Sequence, residues 1–329
     1  LIEKDVHPTI IVDGYRSAAE KALELLDRIA IKVDPKDRTM LKKVAAVSQA
    51  TKLLSTEADY ISDIAVDAVL RVAEKTAEGY KIDVDDIKVE KKAGDSLRDT
   101  KLIEGVVLDK ELVHPGMPKR MENAKIALLN CALEVEKTEF DAKLNIQSPE
   151  QMKAFLDEEE KLLRGMADKI VQSGANVVIC QKGIDDVAQH FLAKKGVLAV
   201  RRASEKDMDK LAKASGGRIV TNIEDLTAED LGYAGIVEER KIADDKMTFI
   251  EKCKNPKAMS ILIRGGTERI VDEAERSIHD ALCVVRDVVR DPRVVVGGGA
   301  VEMELSGQLR RWADGLSGRE QLAATNFAE

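Results

Sequence analysis

The feature of this chain that most constrains its fold is a change of hydrophobic periodicity, from helical spacing to short strands and back to helical spacing. Three helices are predicted where apolar residues recur every three or four positions, over residues 9–30, 38–53 (Leu41, Val44 and Val47) and 56–78. Gly79 follows the third and is expected to be its C-cap. Helical spacing returns over residues 267–290. Two helical arms on either side of a different kind of structure indicate that one domain is inserted into another.

Between the arms, short apolar runs alternate with amphipathic helices. Strands are predicted at residues 82–89, 105–108, 125–130, 176–180, 197–200, 218–222, 246–253 and 260–264, and helices at 184–195 and 204–215. Strand, helix and strand in this alternation indicate parallel β-α-β crossovers. Because 329 residues exceed the size of one ordinary domain, the sequence predicts an α/β multidomain protein.

The composition excludes several classes of partner. The chain has 52 Lys and Arg against 60 Asp and Glu, so its net charge of -8 provides no long-range attraction to nucleic acid or to an anionic membrane. No run approaches the roughly 18 apolar residues that cross a bilayer. The cysteines Cys131, Cys180, Cys253 and Cys283 form no close pair, which argues against a zinc site and favours a reducing compartment. We therefore expect a cytoplasmic protein with no metal site of its own, and Leu1 in place of methionine suggests a fragment of a longer chain.

A glycine turn near the C-terminal end is the first candidate site. Residues 294–296 are predicted to form an apolar strand, Gly297, Gly298 and Gly299 the turn, and the following residues a helix with Val301, Leu305, Leu309, Trp312 and Leu316 in its core. Glycine allows close approach of the backbone, and the unpaired N–H groups at a helix start favour an anion such as phosphate. The alternative is a tight turn that only packs the helix against the strand, since neither the P-loop nor the dinucleotide fingerprint is present.

Asp280 is the second candidate. It lies in the helix predicted at 267–290, at the edge of the apolar stripe formed by Ala274, Ile278, Ala281, Val285 and Val288. A carboxylate in this position could orient a water molecule. The alternative is an ion pair with Arg276, four residues earlier on the same helical edge.

A helix is predicted to begin at Ser148 and Pro149, because Ser148 and Gln151 have the spacing of a capping box. Its stripe includes Met152, Phe155, Leu156, Leu163 and Met166. The stripe could face a core, but flexible Met and Phe side chains on an acidic helix also suit an adaptable protein-contact surface. The helices with Ile184, Val187, Ala188, Phe191 and Leu192, and with Met208 and Leu211, could likewise form a groove for a partner or simply cover a sheet.

Several longer segments together resemble one known family. They are, in order, GVVLDKELVHPGMP (105–118), QKGIDDVAQH (181–190), AVRR (199–202), GRIVTN (217–222), IRGGT (263–267), HDALCVVRD (279–287), VGGGA (296–300) and SGREQLA (317–323). They are similar to a group II chaperonin subunit of the archaeal thermosome type, in the TCP-1/cpn60 chaperonin family, from one end of the chain to the other.

The resemblance implies a subunit with an α/β apical domain inserted into a split intermediate domain, which is itself inserted into a helical equatorial domain. The implied division is equatorial at 1–38, intermediate at 39–108, apical at 109–259, intermediate at 260–296 and equatorial at 297–329. Residues 148–170 correspond to the helical protrusion that serves the family as a built-in lid.

The resemblance also implies an ATP-dependent chaperone that encloses unfolded proteins in a double ring of identical or homologous subunits. Asp280 matches the family's catalytic aspartate, Gly297, Gly298 and Gly299 match glycines of the nucleotide pocket, and Lys52 is a possible nucleotide sensor. Met152, Phe155, Leu156, Leu163 and Met166 fall on the lid, where contacts with substrate or neighbouring lids are expected. ATP and Mg²⁺ are the implied cofactors.

One departure from the family affects these expectations. The family's Gly-Asp-Gly-Thr phosphate loop, which supplies a metal-binding aspartate, does not occur in this sequence. The chain alone is therefore expected to be inactive as an ATPase. Two alternatives remain at this point: a nucleotide-independent protein-binding module formed by the apical domain, and a small-molecule enzyme on the β-α-β centre, for which no nucleophile or base was found.

Overall fold

The computed structural model of the protein describes residues 1–2, 5–50, 57–77, 79–135, 149–255 and 259–329. They divide into two units, a smaller one of Leu1–Leu41 with Asp287–Glu329 and a larger one of Lys42–Arg286. The smaller unit thus joins the two ends of the chain around a long insertion. It includes residues 39–41 and 287–296, which the sequence division gave to the intermediate domain, and the finer division into apical and intermediate domains stays a prediction.

Helices and strands alternate through most of the described chain. The helices are α1 (Pro8–Ile29), α2 (Arg38–Gln49), α3 (Ala58–Val72), α4 (Pro149–Gln172), α5 (Asp186–Lys194), α6 (Glu205–Ser215), α7 (Glu268–Arg290), α8 (Ala300–Ala313) and α9 (Gly318–Ala328). The strands are β1 (Ile31–Lys32), β2 (Glu74–Thr76), β3 (Gly79–Lys81), β4 (Ile87–Ala93), β5 (Lys101–Ile103), β6 (Gly105–Leu108), β7 (Arg120–Leu129), β8 (Val177–Cys180), β9 (Leu198–Val200), β10 (Ile219–Val220), β11 (Gly232–Ile242), β12 (Asp245–Cys253), β13 (Met259–Gly265) and β14 (Arg293–Val294). The predicted α/β class is confirmed.

The core of the smaller unit is built from small side chains where α1, α8 and α9 meet. Ala18, Ala313 and Ala324 form one buried cluster, and Leu25, Leu309 and Ala328 form another. Alanines let helix backbones approach closely, and at Gly14 of α1 even a Cβ atom would lie 2.5 Å from the Cβ of Ala323. The short pair β1–β14 closes the unit by joining the two chain segments in antiparallel register.

The larger unit is organised by a mixed sheet with the strand order β6-β12-β11-β7-β8-β9, to which β10 adds by pairing with the end of β7. β7, β8, β9 and β10 are parallel, as the crossover pattern predicted, whereas β6, β11 and β12 pair antiparallel. Alternate residues of the parallel strands face opposite sides of the sheet. Leu129 and Val178 contact α4 and α5 on one side, and Leu128 and Val177 contact α6 on the other.

Three sequence expectations about these elements are wrong. α3 ends at Val72, and Gly79 begins the second strand of the β2–β3 hairpin instead of capping the helix. β11, the long strand between β12 and β7, was not predicted at all. In α2 the buried stripe is Leu41, Ala45 and Gln49, while Val47 is 74% exposed.

A second, three-stranded sheet has the order β4-β13-β5, and Lys88 of β4 connects it to the larger sheet. The Lys88 side chain is 7% exposed, and its Nζ lies 2.5 Å from Oδ1 of Asp207 in α6 and 2.8 Å from Oε1 of Glu90. It also donates to the main-chain oxygen of Val107 in β6 at 2.6 Å. Three acceptors from three elements satisfy all three N–H bonds of the buried ammonium. Burial raises the pKa of Asp207, but the hydrogen bond and charge of Lys88 outweigh burial and hold that pKa below its usual range.

Replacing Lys88 with Met should lower the free energy of unfolding by about 3 kcal/mol at pH 7, because Asp207 and Glu90 would lose their buried partner. A carboxylate with a depressed folded-state pKa contributes stability above its unfolded pKa and loses it as the pH falls through the folded value. The difference between parent and variant should therefore shrink below about pH 4. Denaturant unfolding at pH 7 and below pH 4 measures both effects.

Lys213→Met is the matched control, since the Lys213–Asp86 pair has exposed fractions of 69% and 38%. It should cost no more than about 0.5 kcal/mol. Equal stability of the Lys88 and Lys213 variants would contradict a structural role for the buried ammonium.

Candidate functional site

The glycine turn before α8 has a backbone conformation that other residues rarely adopt. Gly298 and Gly299 have φ angles of 77° and 79°, and a Cβ added at either one, or at Gly297, would meet no atom within 4 Å. Gly298 and Gly299 are therefore required by conformation and not by lack of space. Gly299 is the N-cap of α8 and has no side chain to bond the first N–H groups of the helix. This exposed helix start is suited to an anion such as a phosphate group.

The residues before the turn differ from the prediction. Only Arg293 and Val294 form a strand, while Val295 and Val296 are 41% and 62% exposed. Arg293 holds the strand in place through both oxygens of Asp291, at 2.7 and 2.6 Å, and through a further ion pair with Asp27 of α1. The predicted apolar strand is therefore wrong beyond Val294. In α8 the predicted core residue Leu309 is buried, whereas Leu316 lies beyond the end of the helix.

Asp280 lies on the solvent-exposed side of α7. The predicted stripe of Ala274, Ile278, Ala281, Val285 and Val288 is buried, which confirms the orientation of the helix. Arg276 is 3.0 Å from the carboxylate of Glu273 and donates from Nε to the main-chain oxygen of Asp272. Asp287, two turns after Asp280, is exposed on the same helical edge. The packing of α7 thus leaves the Asp280 carboxylate accessible to solvent and to a ligand.

The N-terminal part of α7 is attached to β4 by Lys91. Its Nζ lies 2.8 Å from Asp272 and 2.7 Å from Glu275, and these hydrogen bonds raise the pKa of Lys91. All three side chains are more than 40% exposed. Ion pairs as exposed as these contribute little to stability.

A buried contact between α2 and α7 was missed by the sequence analysis. Gln49 is fully buried, and its Nε2 donates to the main-chain oxygen of Ser277 at 2.7 Å. A signal was available, because Gln49 follows Leu41 and Ala45 at steps of four residues along one face of α2. Val44 and Val47 are apolar and suggested a different buried face of α2. Lys52, the possible nucleotide sensor, lies outside the described residues.

The helix α4 divides into an exposed first half and a packed second half. Met152, Phe155, Leu156 and Leu162 are 46%, 41%, 53% and 51% exposed. Leu163 is 1% exposed, and together with Ala167 and Ile170 it packs in the core against β7 and β8. The expected contact role therefore does not fit Leu163, and Met166 is partly buried against the same core. The predicted N-cap Ser148 lies outside the described residues.

The remaining candidate surfaces are largely core. Ile184, Ala188 and Leu192 of the α5 region are buried beneath that helix, and Met208 and Leu211 of α6 are buried on the other face of the sheet. The alternative that these helices cover a sheet is thus confirmed, although Val187 is 39% exposed. The four cysteines form no disulfide, and burial raises the pKa of Cys180 to about 12.

In the described part of the chain, no group of three or more His, Cys, Asp or Glu side chains is arranged to hold a metal ion. No helix there has both the length and the apolar character needed to span a membrane.

Replacing Phe155 and Leu156 with Ser should change the free energy of unfolding by less than about 1 kcal/mol, because both side chains already contact solvent. Leu163→Ser on the same helix should cost about 3 kcal/mol or more, since it leaves a cavity and buries a hydroxyl. Denaturant unfolding of the two variants measures the difference. A large loss in the Phe155/Leu156 variant would show that these residues belong to the core.

The model of the TCP-1/cpn60 chaperonin family matches residues 1–329. The chain is 59% identical over 329 residues to thermosome subunit beta of Thermococcus kodakarensis and 58% identical over 329 residues to the thermosome subunit of Methanopyrus kandleri. Each match covers 100% of this chain and 60% of the relative, so the chain spans about 60% of the length of these curated proteins.

Among solved structures, the open-state monomer of a group II chaperonin from Methanococcoides burtonii matches with a TM-score of 0.78 and 43% sequence identity. The match covers 99% of this chain and 75% of that one. The α/β architecture described above is thus similar to that of a group II chaperonin.

Proposed function

Since the chain belongs to the TCP-1/cpn60 chaperonin family, we propose that it acts, within a subunit of its relatives' length, as part of an ATP-dependent chaperonin. The resemblance found in the sequence is confirmed by the same match. The observation that carries the proposal is the match to thermosome subunits over the whole chain, at 59% and 58% identity. In this proposal the complete subunit binds unfolded protein and encloses it in a double ring of identical or homologous subunits in the cytoplasm.

We propose that Gly297, Gly298 and Gly299 contact the phosphate groups of ATP. The left-handed backbone of Gly298 and Gly299 presents the start of α8 without a side-chain cap, which supports an anion-binding role. Hydrolysis of ATP would supply the free energy for the chaperonin cycle. Among the described residues, no cluster of carboxylates is arranged to hold Mg²⁺.

We propose that Asp280 orients the water molecule that attacks the terminal phosphate. An exposed carboxylate can accept a hydrogen bond from a water molecule. This bond orients the lone pair of the water oxygen for an in-line attack on the terminal phosphate. The buried stripe of α7 gives this carboxylate a rigid support. Lys52 remains a proposed nucleotide sensor on the strength of the family resemblance alone.

We propose that Met152, Phe155 and Leu156 make the protein contacts of the lid. Their exposure in this chain, together with the exposed Leu162, supports such a role, because apolar side chains left in water are available to a partner. A nucleotide-independent binding module is not favoured, since the family match extends over α7 and the glycine turn as well as the α/β centre.

In a subunit of the relatives' length, Asp280→Ala should leave ATP binding nearly unchanged and lower the rate of hydrolysis by a factor of about 100 or more. The carboxylate acts in the transition state, whereas phosphate contacts in the ground state come from other groups. Steady-state ATPase rates and nucleotide titration measure the two quantities separately.

Asp287→Ala is the matched control, because Asp287 is exposed on the same edge of α7. It should keep most of the parent's ATPase rate. Equal ATPase rates for the two variants would show that Asp280 has only a structural role, such as an ion pair with Arg276, whose loss costs a few tenths of a kcal/mol.

Replacing Phe155 and Leu156 with Ser should impair enclosure in the assembled ring without changing the ATPase rate more than about twofold, since the changes remove apolar contact area and leave the nucleotide residues intact. Protection of a bound unfolded protein from protease in the presence of ATP measures enclosure. Lys153→Ser, an exposed polar change on the same helix, is the control. Full protection by the Phe155/Leu156 variant would contradict the lid role.

A further inference from the structure

Gln49 ends α2 and is fully buried, although glutamine is usually an exposed residue. Its Nε2 donates to the main-chain oxygen of Ser277 in α7 at 2.7 Å and to Oγ of Ser48 at 3.1 Å. A carbonyl oxygen can only accept, so the NH₂ end of the amide has to face Ser277. The contact therefore joins one defined atom of α2 to one defined atom of α7.

A gain in the stability of the fold does not explain the contact between Gln49 and Ser277. Within the described chain, Oε1 of Gln49 and Oγ of Ser277 are both buried without a hydrogen-bond partner. An unpaired polar atom in the interior lowers stability, and an unbranched apolar side chain of similar length would avoid that loss. What the amide provides, and an apolar side chain would not, is a directional bond that fixes the helix along its axis and in its rotation.

Ser277 lies three residues before Asp280, which corresponds to about 4.5 Å along the helix axis. Any sliding or rotation of α7 at Ser277 is therefore transmitted to the Asp280 carboxylate. Lys91 also holds α7, but its ion pairs with Asp272 and Glu275 are exposed and lie nearer the start of the helix. The bond from Gln49 is thus a buried polar constraint on α7, within one turn of Asp280.

We propose that Gln49 is a positioning residue for Asp280, and that its amide holds α7 in the register in which the carboxylate can act. This inference rests on the role proposed for Asp280 above. A displacement of about 1 Å can cost about 100-fold in rate. Since packing and Lys91 also hold α7, removal of the Gln49 bond should lower turnover by about tenfold.

The test uses the assembled, full-length subunit with Gln49→Met, which removes the donor and keeps a side chain of similar length. We expect kcat for ATP hydrolysis to fall about tenfold with KM for ATP within about twofold of the parent, and the thermal midpoint to stay equal or rise. Gln49→Leu is made in parallel, so that the result is read from whichever variant folds. Ser48→Ala, which leaves the bond to Ser277 in place, should keep the parent's kcat.

A double variant separates positioning from a general structural effect. If Gln49 acts through Asp280, adding Gln49→Met to Asp280→Ala should lower kcat by less than about twofold further. A full additional tenfold loss would overturn the inference, as would a parent-like kcat in Gln49→Met while Asp280→Ala alone remains impaired. Parent-like turnover in Asp280→Ala would instead refute the proposed catalytic role itself, and the inference with it.

Discussion

Both faces of the large mixed sheet have to be covered, and the rest of the larger unit depends on that requirement. The parallel strands carry apolar residues on each side, so α4 and α5 cover one face and α6 the other. α4 has 24 residues, or about 36 Å of helix, and only its second half has sheet beneath it. The apolar residues of its first half remain exposed for that geometric reason. A surface suited to protein contact thus arises from a helix that is longer than the face it covers.

The helix α7 likewise has one buried face and one exposed face. Its apolar stripe is completely buried, so the direction of the opposite edge is fixed and Asp280 faces solvent. Apolar packing alone specifies rotation better than position along the axis, because apolar contacts have no direction. The hydrogen bond from Gln49 and the ion pairs of Lys91 supply directional contacts on two sides of this helix.

The elements with strong periodicity could be predicted from the sequence. The strands β6, β8 and β9 are short apolar runs, and the stripe of α7 follows helical spacing, so both kinds of pattern were recognised. β11 was missed because its outer half, EERK, is charged and its side chains are only partly buried between neighbouring strands. The buried face of α2 was misassigned because Ala45 and Gln49 carry little hydrophobic signal beside two exposed or half-buried valines.

The candidate site was predictable to a lesser degree. The three glycines indicated a turn, but Val295 and Val296 gave no sign that they would be exposed, since their apolar character is that of a buried strand. The exposure of Asp280 followed directly from the predicted apolar stripe of α7, because that stripe fixes which side of the helix is buried. The contact between Gln49 and Ser277 joins residues that are 228 positions apart in the sequence. A local pattern of residues contains no information about a contact between segments so far apart in the chain.

Three local departures from ordinary stability rules fall on the segments to which a function is proposed. The glycine turn combines two left-handed residues with an uncapped helix start, α4 leaves large apolar side chains in water, and Gln49 buries an unpaired amide oxygen. The exposed apolar side chains and the unpaired oxygen could each be relieved by one substitution, whereas the cores on the two faces of the sheet are apolar and the buried Lys88 has all its acceptors. Chains that fold well tend to violate local rules where function requires it. Other departures of this kind lie elsewhere in the described chain, such as the unpaired hydroxyl of Ser62 and the 66% exposed Leu23. The three departures therefore fit the proposed sites, and the proposals themselves rest on the geometry of the glycine turn, α4 and α7 and on the family resemblance.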